Sequence, residues 1–355
     1  MSARNDLERL VRPNILALAP YRSARDEFQG LASASVFLDA NENSLGSPLE
    51  EDFSRYPDPY QRPLKEALAR QKGLLPGQIF LGNGSDEAID LLLRAFCEPR
   101  LDNIVILPPT YGMYAVQAAV QDVEVRRAPL CADFSPDPEA VLRATDERSK
   151  LLFLCSPNNP TGNRLPDSFL IAMLERFPGL VVVDEAYIDF SEQPSVLSFL
   201  EKYPRLVVLQ TFSKAWGLAA LRVGMAYSNS FVINILNKIK YPYNLNVLSV
   251  RISLQALERS SEWNDKIGVI KAERERLARA LTALPQVREV FLSEANFLLV
   301  RTTDADRIYA ALCAEGIVVR NRTRELHCEN CLRITVGSPA ENDRLIAALQ
   351  NLNAA

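Results

Sequence analysis

The stretch Thr211-Phe212-Ser213-Lys214-Ala215-Trp216-Gly217 decides how this sequence is interpreted. It sets a lysine among small hydroxyl residues and apolar side chains, directly after an apparent strand at 206–210. An ammonium group beside apolar side chains or another cation has a lowered pKa, which makes the lysine a usable nucleophile and base. Because a solvated loop lysine would give the same sequence, the rest of the chain must decide between the two interpretations.

Apolar strands alternate with helical patterns through the first two thirds of the chain. They are predicted at 103–107, 151–155, 180–183 and 206–210. Continuous apolar strands of this kind predict an α/β fold with a mainly parallel sheet covered by helices on both faces. In such sheets functional groups gather at the carboxyl ends of the strands, and each of these strands ends in an unusual motif. This coincidence favours a functional Lys214.

A second candidate site follows the short strand predicted at 79–81. The segment Gly82-Asn83-Gly84-Ser85-Asp86-Glu87 predicts a turn into a capped helix, whose first N–H groups attract anions. A capped helix alone would explain it. Arg222 adds a planar cation suited to phosphate, and Thr211 and Ser213 add hydroxyl groups. A carbonyl cofactor bearing a phosphate would use all of these groups, and pyridoxal phosphate, held by a lysine Schiff base, is such a cofactor.

Asp184 and two tyrosines extend the same constellation. Asp184 follows three valines and is either a loop carboxylate or a group that keeps a pyridine nitrogen protonated. Tyr187 can hydrogen-bond the phenolic oxygen of such a cofactor. Tyr111 can stack on its ring or be an ordinary packed aromatic.

Composition limits the class of protein. A length of 355 residues predicts two domains, and 48% hydrophobic and 24% charged residues are typical of globular proteins. A net charge of −4 gives no electrostatic reason to expect nucleic acid or an anionic membrane as a partner. The N-terminus lacks an apolar signal region and no run is long enough to span a bilayer, so we expect a cytoplasmic location.

The cysteines give a weak metal signal. His327-Cys328-Glu329-Asn330-Cys331 pairs a CxxC with the sole histidine, but a second ligand pair is missing, which predicts incidental thiols and no metal site. A single histidine also argues against a hydrolytic triad.

Changes in pattern divide the chain into three parts. Residues 1–35 are predicted to form an N-terminal arm and helix that pack with the smaller domain. Residues 36–245, beginning with a short strand at 36–43, form the large domain that would bind the cofactor. Residues 246–355 form a smaller α/β C-terminal domain, after a break at Tyr241-Pro242-Tyr243-Asn244.

Taken together, the motifs resemble the pyridoxal-phosphate-dependent aminotransferases of the aspartate-aminotransferase fold over nearly the whole chain. The residues that carry the resemblance are Asn41–Asn43, Arg55–Pro57, Gly82–Glu87, Pro108–Tyr114, Ser156–Gly162, Asp184–Tyr187, Ser213-Lys214, Leu221-Arg222, Pro242–Asn244 and Leu332–Thr335. The segments at 21–25 (YRSAR) and 108–114 (PPTYGMY) resemble the histidinol-phosphate branch of that family. One departure is Ala220, where relatives commonly carry glycine.

The resemblance implies a mixed, mainly parallel seven-stranded sheet and a set of site residues. Lys214 would hold the cofactor and move the proton, Asp184 would bind the pyridinium, and Asn159 and Tyr187 would bind the ring oxygen. The ring would stack on Tyr111, and the phosphate would contact Gly84, Ser85, Asp86, Thr211, Ser213, Arg222 and Tyr56 of the neighbouring subunit, which implies a homodimer with shared sites. Tyr21, Asn159, Arg320 and Arg333 would bind the substrates.

The implied activity is transamination between L-histidinol phosphate and 2-oxoglutarate, which gives imidazole acetol phosphate and L-glutamate in histidine biosynthesis. The alternatives are an aromatic amino acid aminotransferase and a lyase resembling threonine-phosphate decarboxylase. A non-catalytic sensor on the same fold would usually carry an extra DNA-binding domain, for which the chain leaves little room.

Overall fold

The computed structural model describes residues 3–21 and 36–352, which contain two β-sheets. The larger sheet consists of β1 (Ile79–Asn83), β2 (Asn103–Ile106), β3 (Glu124–Arg127), β4 (Ser149–Cys155), β5 (Leu180–Asp184), β6 (Leu206–Thr211) and β7 (Val223–Ser228). Their order is β1-β7-β6-β5-β4-β2-β3, and only β7 runs antiparallel to its neighbours. The predicted α/β fold with a mixed, mainly parallel seven-stranded sheet is confirmed.

The helices of the described residues cover both sheets. They are α1 (Ala3–Glu8), α2 (Pro13–Ala17), α3 (Arg62–Lys72), α4 (Gly84–Phe96), α5 (Met113–Val120), α6 (Pro138–Ala144), α7 (Asp167–Arg176), α8 (Ser230–Ile239), α9 (Val247–Leu257), α10 (Ser260–Thr282), α11 (Ala305–Ala314) and α12 (Pro339–Asn351).

The central strands are buried on both faces, which explains their continuous apolar sequence. Successive side chains of a strand point to opposite faces. In β4, Leu151 and Phe153 enter one apolar core, while Leu152 and Leu154 enter the core on the other side. β5 and β6 alternate in the same way. The sheet is therefore a middle layer that fixes the positions of the turns at its carboxyl edge.

The smaller sheet lies in the C-terminal part of the chain. It consists of β8 (Val287–Val290), β9 (Phe297–Thr302), β10 (Arg320–Asn321) and β11 (Cys331–Thr335), all antiparallel, in the order β10-β11-β9-β8. A separate core joins it to α10, α11 and α12. α9, which follows the predicted boundary at 246, packs instead beside the large sheet, where the Ser249 hydroxyl donates to the Leu221 carbonyl at 2.8 Å.

The described part of the N-terminal segment does not pack with the smaller sheet, contrary to our expectation. Leu7 and Val11 are buried in the core that α4 and α8 share with the large sheet. The Arg12 N–H donates to the Ala95 carbonyl at 2.9 Å, and its guanidinium pairs with Glu98 at 3.0 Å. Burial of these apolar side chains draws the segment to the large unit. The rest of the predicted arm, 22–35, lies outside the described residues.

The structure describes the whole segment 36–43, and the strand predicted there is not formed. Residues 36–43 are irregular, and Asn41 has a left-handed backbone with φ of +53°, which interrupts an extended chain. The Glu42 carboxylate instead accepts hydrogen bonds from the Tyr56 N–H and the Arg55 guanidinium, both at 2.7 Å.

Within the ranges described, no helix combines the length and apolar character needed to cross a membrane.

Candidate active site

The first part of the site is a tight turn where β1 passes into α4. Gly84 has φ of +71°, and its N–H donates to the Arg222 carbonyl at 2.8 Å. A Cβ atom on Gly224 in β7 would lie only 2.1 Å from the Ser85 nitrogen, so glycine is required for this close approach. The turn thus presents the first N–H groups of α4, which favour an anion.

Hydroxyl and guanidinium groups surround that turn. The Thr211 hydroxyl donates to the Ser213 hydroxyl oxygen at 2.9 Å, and the Arg222 guanidinium donates to the same oxygen at 3.3 Å. Asp86 holds the guanidinium from the other side at 3.5 Å. The structure therefore brings together the helix start, two hydroxyl groups and an arginine, as the sequence predicted for a phosphate site.

Lys214 lies beside this anion cradle, on the turn that follows β6. The Gly217 N–H donates to the Lys214 carbonyl at 3.0 Å and closes the turn. The ammonium lies 5.5 Å from the ring centroid of Tyr187. Burial, followed by the positive charge of Arg333, lowers the pKa of Lys214. A lowered pKa makes the free amine more accessible, which suits a nucleophile and base.

Asp184 is buried at the carboxyl end of β5. The Tyr114 hydroxyl donates to its carboxylate at 2.7 Å, and the Ala186 N–H donates at 3.0 Å. Burial raises the pKa of Asp184, while these two hydrogen bonds act in the opposite direction. Because no arginine of the described chain pairs with it, the carboxylate is available to a cationic group in the cavity.

Tyr111 forms a wall of the same space. Its hydroxyl donates to the Asp86 carboxylate at 3.1 Å, and its ring meets Tyr114 edge to face at 5.5 Å. Burial raises the pKa of Tyr111, so the phenol stays protonated. The hydrogen bond fixes the ring orientation, which suits a stacking partner for a flat ligand.

Arginines from the smaller sheet close the opposite side. Arg320 and Arg333 are direct partners in the pairing of β10 with β11. The Arg333 guanidinium donates to the Asn159 amide oxygen at 2.5 Å and lies over the Phe297 ring at 5.3 Å. Its Nε is buried and has no hydrogen-bond partner in the described residues. Arg333 is therefore not a solvated strand residue but a donor held ready for an acceptor.

These groups line one cavity of about 690 Å³ between the two sheets. The predicted residues that line it are Gly84, Ser85, Asp86, Tyr111, Asn159, Asp184, Tyr187, Thr211, Ser213, Lys214, Arg222, Arg320 and Arg333. They come from distant parts of the sequence because the carboxyl ends of the strands meet at one edge of the sheet.

Two predicted residues lie elsewhere. Tyr56 is half-exposed and stacks on Tyr243 with ring centroids 4.5 Å apart, outside the cavity of its own chain. Tyr21 is 75% exposed and lies near Arg94 and Lys238. The single chain does not bring either tyrosine to the cavity.

Sequence reasoning missed other residues in or directly behind the cavity wall. Tyr114, which binds Asp184, lies three residues after Tyr111 in a motif where only the first tyrosine was selected. Arg322 and Glu325 line the cavity from the loop after β10. The signal for Arg322 was present, since a residue two positions after Arg320 in an extended chain shares its face.

The CxxC segment is separate from these groups. Cys328 and Cys331 are both buried and form no disulfide. A hydrogen bond between the thiols raises the pKa of Cys328 and lowers that of Cys331. Among the described residues, no group of three or more His, Cys, Asp or Glu side chains is placed to hold a metal ion.

The donor set of the cavity fits pyridoxal phosphate. The anion cradle matches the phosphate, Lys214 matches the carbonyl group, and buried Asp184 matches a protonated ring nitrogen. The orphaned Arg333 Nε matches an anionic substrate at the cavity wall that the smaller sheet provides. This fold with this site defines an aminotransferase that depends on pyridoxal phosphate.

The comparisons with known proteins agree. The family model for "Aminotransferase class I and II" matches residues 30–349, so the chain belongs to that family. A histidinol-phosphate aminotransferase of Bacteroides fragilis is 55% identical over 97% of this chain and 98% of its own length. A similar protein of Parabacteroides distasonis, with the same name, is 52% identical over 98% of this chain and 99% of its own length.

A solved structure gives the same result. The histidinol-phosphate aminotransferase of Sinorhizobium meliloti, in complex with pyridoxal-5'-phosphate, is 25% identical with a TM-score of 0.77 and covers 96% of this chain and 97% of its own. Within the family, the chain therefore groups with the histidinol-phosphate aminotransferases. The predicted family, enzyme class and cofactor are confirmed.

Proposed function

We propose that the protein transfers the amino group between L-histidinol phosphate and 2-oxoglutarate, giving imidazole acetol phosphate and L-glutamate in histidine biosynthesis. The observation that carries the proposal is that one cavity holds Lys214 between an anion cradle and an orphaned arginine. The names of the relatives at 52–55% identity support the choice of substrates.

We assign the cofactor to the cradle side of the cavity. Gly84, Ser85, Asp86, Thr211, Ser213 and Arg222 would hold the phosphate, while Tyr111, Asn159, Asp184 and Tyr187 would hold the ring. When bound, pyridoxal phosphate supplies a ring that accepts electrons from the substrate carbon. Asp184 would keep a proton on the ring nitrogen, since a buried carboxylate stabilises a neighbouring cation.

Lys214 is the proposed proton carrier. Its amine has a lowered pKa and lies within the same cavity as both Asp184 and Arg333. It would act as the general base and acid that takes, holds and returns the substrate proton.

Arg333, with Arg320 and Asn159, is the proposed anion site for the substrates. Arg333 is held by Asn159 and presents an unused buried donor. A guanidinium binds a carboxylate and a phosphate equally well in two-point contacts, so one site can serve both substrates. Tyr21 remains a predicted substrate residue that the isolated chain leaves outside the cavity.

A homodimer is the proposed assembly, with Tyr56 reaching the cavity of the partner. The segment 36–45, whose Glu42 binds the Tyr56 N–H, exposes much apolar surface: Val36 is 73% exposed, Leu38 82% and Leu45 96%. Exposed apolar surface of this kind marks an interaction site. A second copy would cover it and would bring a half-exposed phenol to a phosphate. The cytoplasmic location stays a prediction.

The test is a single-turnover titration of the cofactor-loaded protein with L-histidinol phosphate, followed by cofactor absorbance. We expect rapid conversion of the cofactor to its amine form, which 2-oxoglutarate then reverses. A protein that reacts with threonine phosphate or phenylalanine but not with histidinol phosphate would contradict the proposed substrates and keep the cofactor.

A further inference from the structure

Two charged residues at the mouth of the cavity have no role in the account above. Arg322 and Glu325 lie on the loop between β10 and β11. The Arg322 N–H donates to the Cys331 carbonyl at 2.8 Å, and the Glu325 N–H donates back to the Arg322 carbonyl at 2.9 Å. This turn folds Glu325 over Arg322, and their side chains form an ion pair at 2.7 Å.

The pair retains unused hydrogen-bonding capacity. Arg322 Nε is buried without a partner in the described residues, and the side chains are 27% and 28% exposed. Glu325, which lines the cavity, uses Oε1 for the ion pair and keeps Oε2 as a further acceptor. Burial lowers the pKa of Arg333, and both charges of the pair act on it as well: Arg322 lowers that pKa further and Glu325 raises it. The pair is therefore close to the proposed anion site.

The present inference rests on the proposed function, which requires one site to recognise two substrates with different side chains. Histidinol phosphate and glutamate each offer an anionic group that Arg333 can bind. Their side chains differ, because an imidazole offers an N–H donor whereas the side-chain carboxylate of glutamate needs donors. A site that binds both must offer an acceptor and a donor at one place.

We propose that Arg322 and Glu325 recognise the substrate side chain in two ways. Glu325 accepts a hydrogen bond from the imidazole N–H of histidinol phosphate. Arg322 donates to the side-chain carboxylate of glutamate and of 2-oxoglutarate. When no substrate is bound, the two side chains pair with each other, so neither charge is left unpaired after a substrate departs.

The other carboxylates of the cavity do not offer this acceptor. Among the described lining residues they are Asp86 and Asp184. Asp86 is engaged by Arg222 and Tyr111 in the cradle. Asp184 is 3% exposed and accepts from Tyr114 at the base of the cavity. Glu325 alone of these three lies on the side of the smaller sheet.

The experiment separates the two half-reactions of the cofactor-loaded protein by rapid-mixing absorbance, using Glu325→Gln and Arg322→Gln. The amide oxygen of Glu325→Gln still accepts a hydrogen bond but carries no charge, so we expect kcat/KM for histidinol phosphate to fall roughly 5- to 10-fold, mostly through KM. The glutamate half-reaction should change less than about threefold. For Arg322→Gln we expect the reverse: kcat/KM for glutamate should fall, and kcat/KM for histidinol phosphate should change little.

Controls come from the same loop. Arg324 and Glu329 are exposed and do not line the cavity, so Arg324→Gln and Glu329→Gln should leave both half-reactions unchanged. Calorimetric binding of histidinol phosphate to the cofactor-free protein should weaken in Glu325→Gln and not in Glu329→Gln. Should Glu325→Gln fail to fold, Glu325→Asp keeps the charge but retracts it, and should shift the preference in the same direction.

Equal losses in both half-reactions, or no loss in either, would overturn the two-way recognition while leaving the proposed function intact. A wild-type protein that ignores histidinol phosphate would overturn the proposed function itself. In that case Arg322→Gln on the glutamate half-reaction still tests the donor role, because an unchanged rate there contradicts it.

Discussion

The ionisation of Asp184 depends on one neighbouring hydroxyl group. Tyr114 is fully buried and donates to Asp184 at 2.7 Å, and this bond opposes the burial that raises the carboxyl pKa. We predict that Tyr114→Phe raises the pKa of Asp184 further. As the pH falls, the ionised form, which would hold the ring nitrogen, should then be lost at a higher pH than in the wild type. Cofactor affinity should drop roughly 10-fold, as for one hydrogen bond to a charged group.

The measurement is the dissociation constant of pyridoxal phosphate as a function of pH. Tyr227→Phe is a matched control, since the Tyr227 hydroxyl is buried and has no partner in the described residues. Its removal should leave the affinity unchanged. An identical pH profile for Tyr114→Phe and wild type would exclude this role of Tyr114.

The residues of the site were predictable to different degrees. Lys214 and Asp184 follow strands whose carboxyl ends converge in a parallel sheet, so the sequence places these two residues together. Arg222 precedes β7 and joins them because β7 runs antiparallel to β6. The partner of Asp184 was not predictable, because choosing Tyr114 over Tyr111 requires knowing which way α5 faces. The orphaned donor of Arg333 was not predictable either, since it depends on the packing of two sheets.

At the scale of elements, the crossing of β7 over the start of α4 shapes the anion cradle. A Cβ atom on Gly224 would meet backbone atoms of Gly84 and Ser85 at 2.1–2.6 Å. We predict that Gly224→Ala pushes the helix start away from Arg222. Unfolding free energy should fall by about 1–3 kcal/mol, as for overpacking, and cofactor affinity should fall with it.

Denaturant unfolding and cofactor titration of the same samples test this. Gly77→Ala is the control, because a Cβ there meets nothing within 4 Å. Unchanged cofactor affinity in a folded Gly224→Ala protein would contradict the argument.

α3 carries a buried lysine, Lys65, and the free-energy cost of burying its ammonium group depends on pH. Lys65 is 6% exposed, and burial, followed by the charge of Lys240, lowers its pKa from 10.5 to about 8. Between these values the unfolded chain binds more protons than the folded chain, so stability rises with pH. Below pH 8 both forms are protonated and the full cost of about 3 kcal/mol remains, at about 1.4 kcal/mol per pKa unit.

We therefore predict that Lys65→Met raises the free energy of unfolding at pH 7 by up to about 3 kcal/mol, and that the gain shrinks towards pH 10.5. Urea unfolding at pH 7 and pH 10 gives the comparison. Lys266→Met, on the exposed face of α10, should change stability by less than about 0.5 kcal/mol at either pH. A gain that is equal at both pH values would show that the pKa is not the cause.

The elements themselves were predictable where one physical cause dominates. The strands β4, β5 and β6 are apolar throughout because both faces are buried, and the sequence indicates them directly. The segment 36–43 also begins with apolar residues, but Asn41 adopts a left-handed backbone and Glu42 binds Tyr56. No strand pattern reveals either feature. The antiparallel direction of β7 depends on pairings with β1 and β6, which are long-range.

At the scale of the whole molecule, the position of Tyr56 bears on the proposed homodimer. Tyr56 is outside the cavity of its own chain and stacks on Tyr243, at a surface rich in exposed apolar residues. Tyr56 is held there by the Glu42 carboxylate, which accepts from its N–H at 2.7 Å. A phenol fixed in this way on a surface is suited to a cavity in a second copy.

A hybrid dimer tests the exchange. Lys214→Ala alone should abolish turnover, and Tyr56→Ala alone should weaken cofactor binding about 10-fold, as for one lost hydrogen bond to phosphate. If Tyr56 serves the partner, mixing the two variants creates one cavity with an intact Lys214 from one chain and an intact Tyr56 from the other. That cavity should bind the cofactor with wild-type affinity and regain turnover at low cofactor concentration. If Tyr56 serves its own chain, every cavity with Lys214 lacks the phenol, and mixing restores nothing.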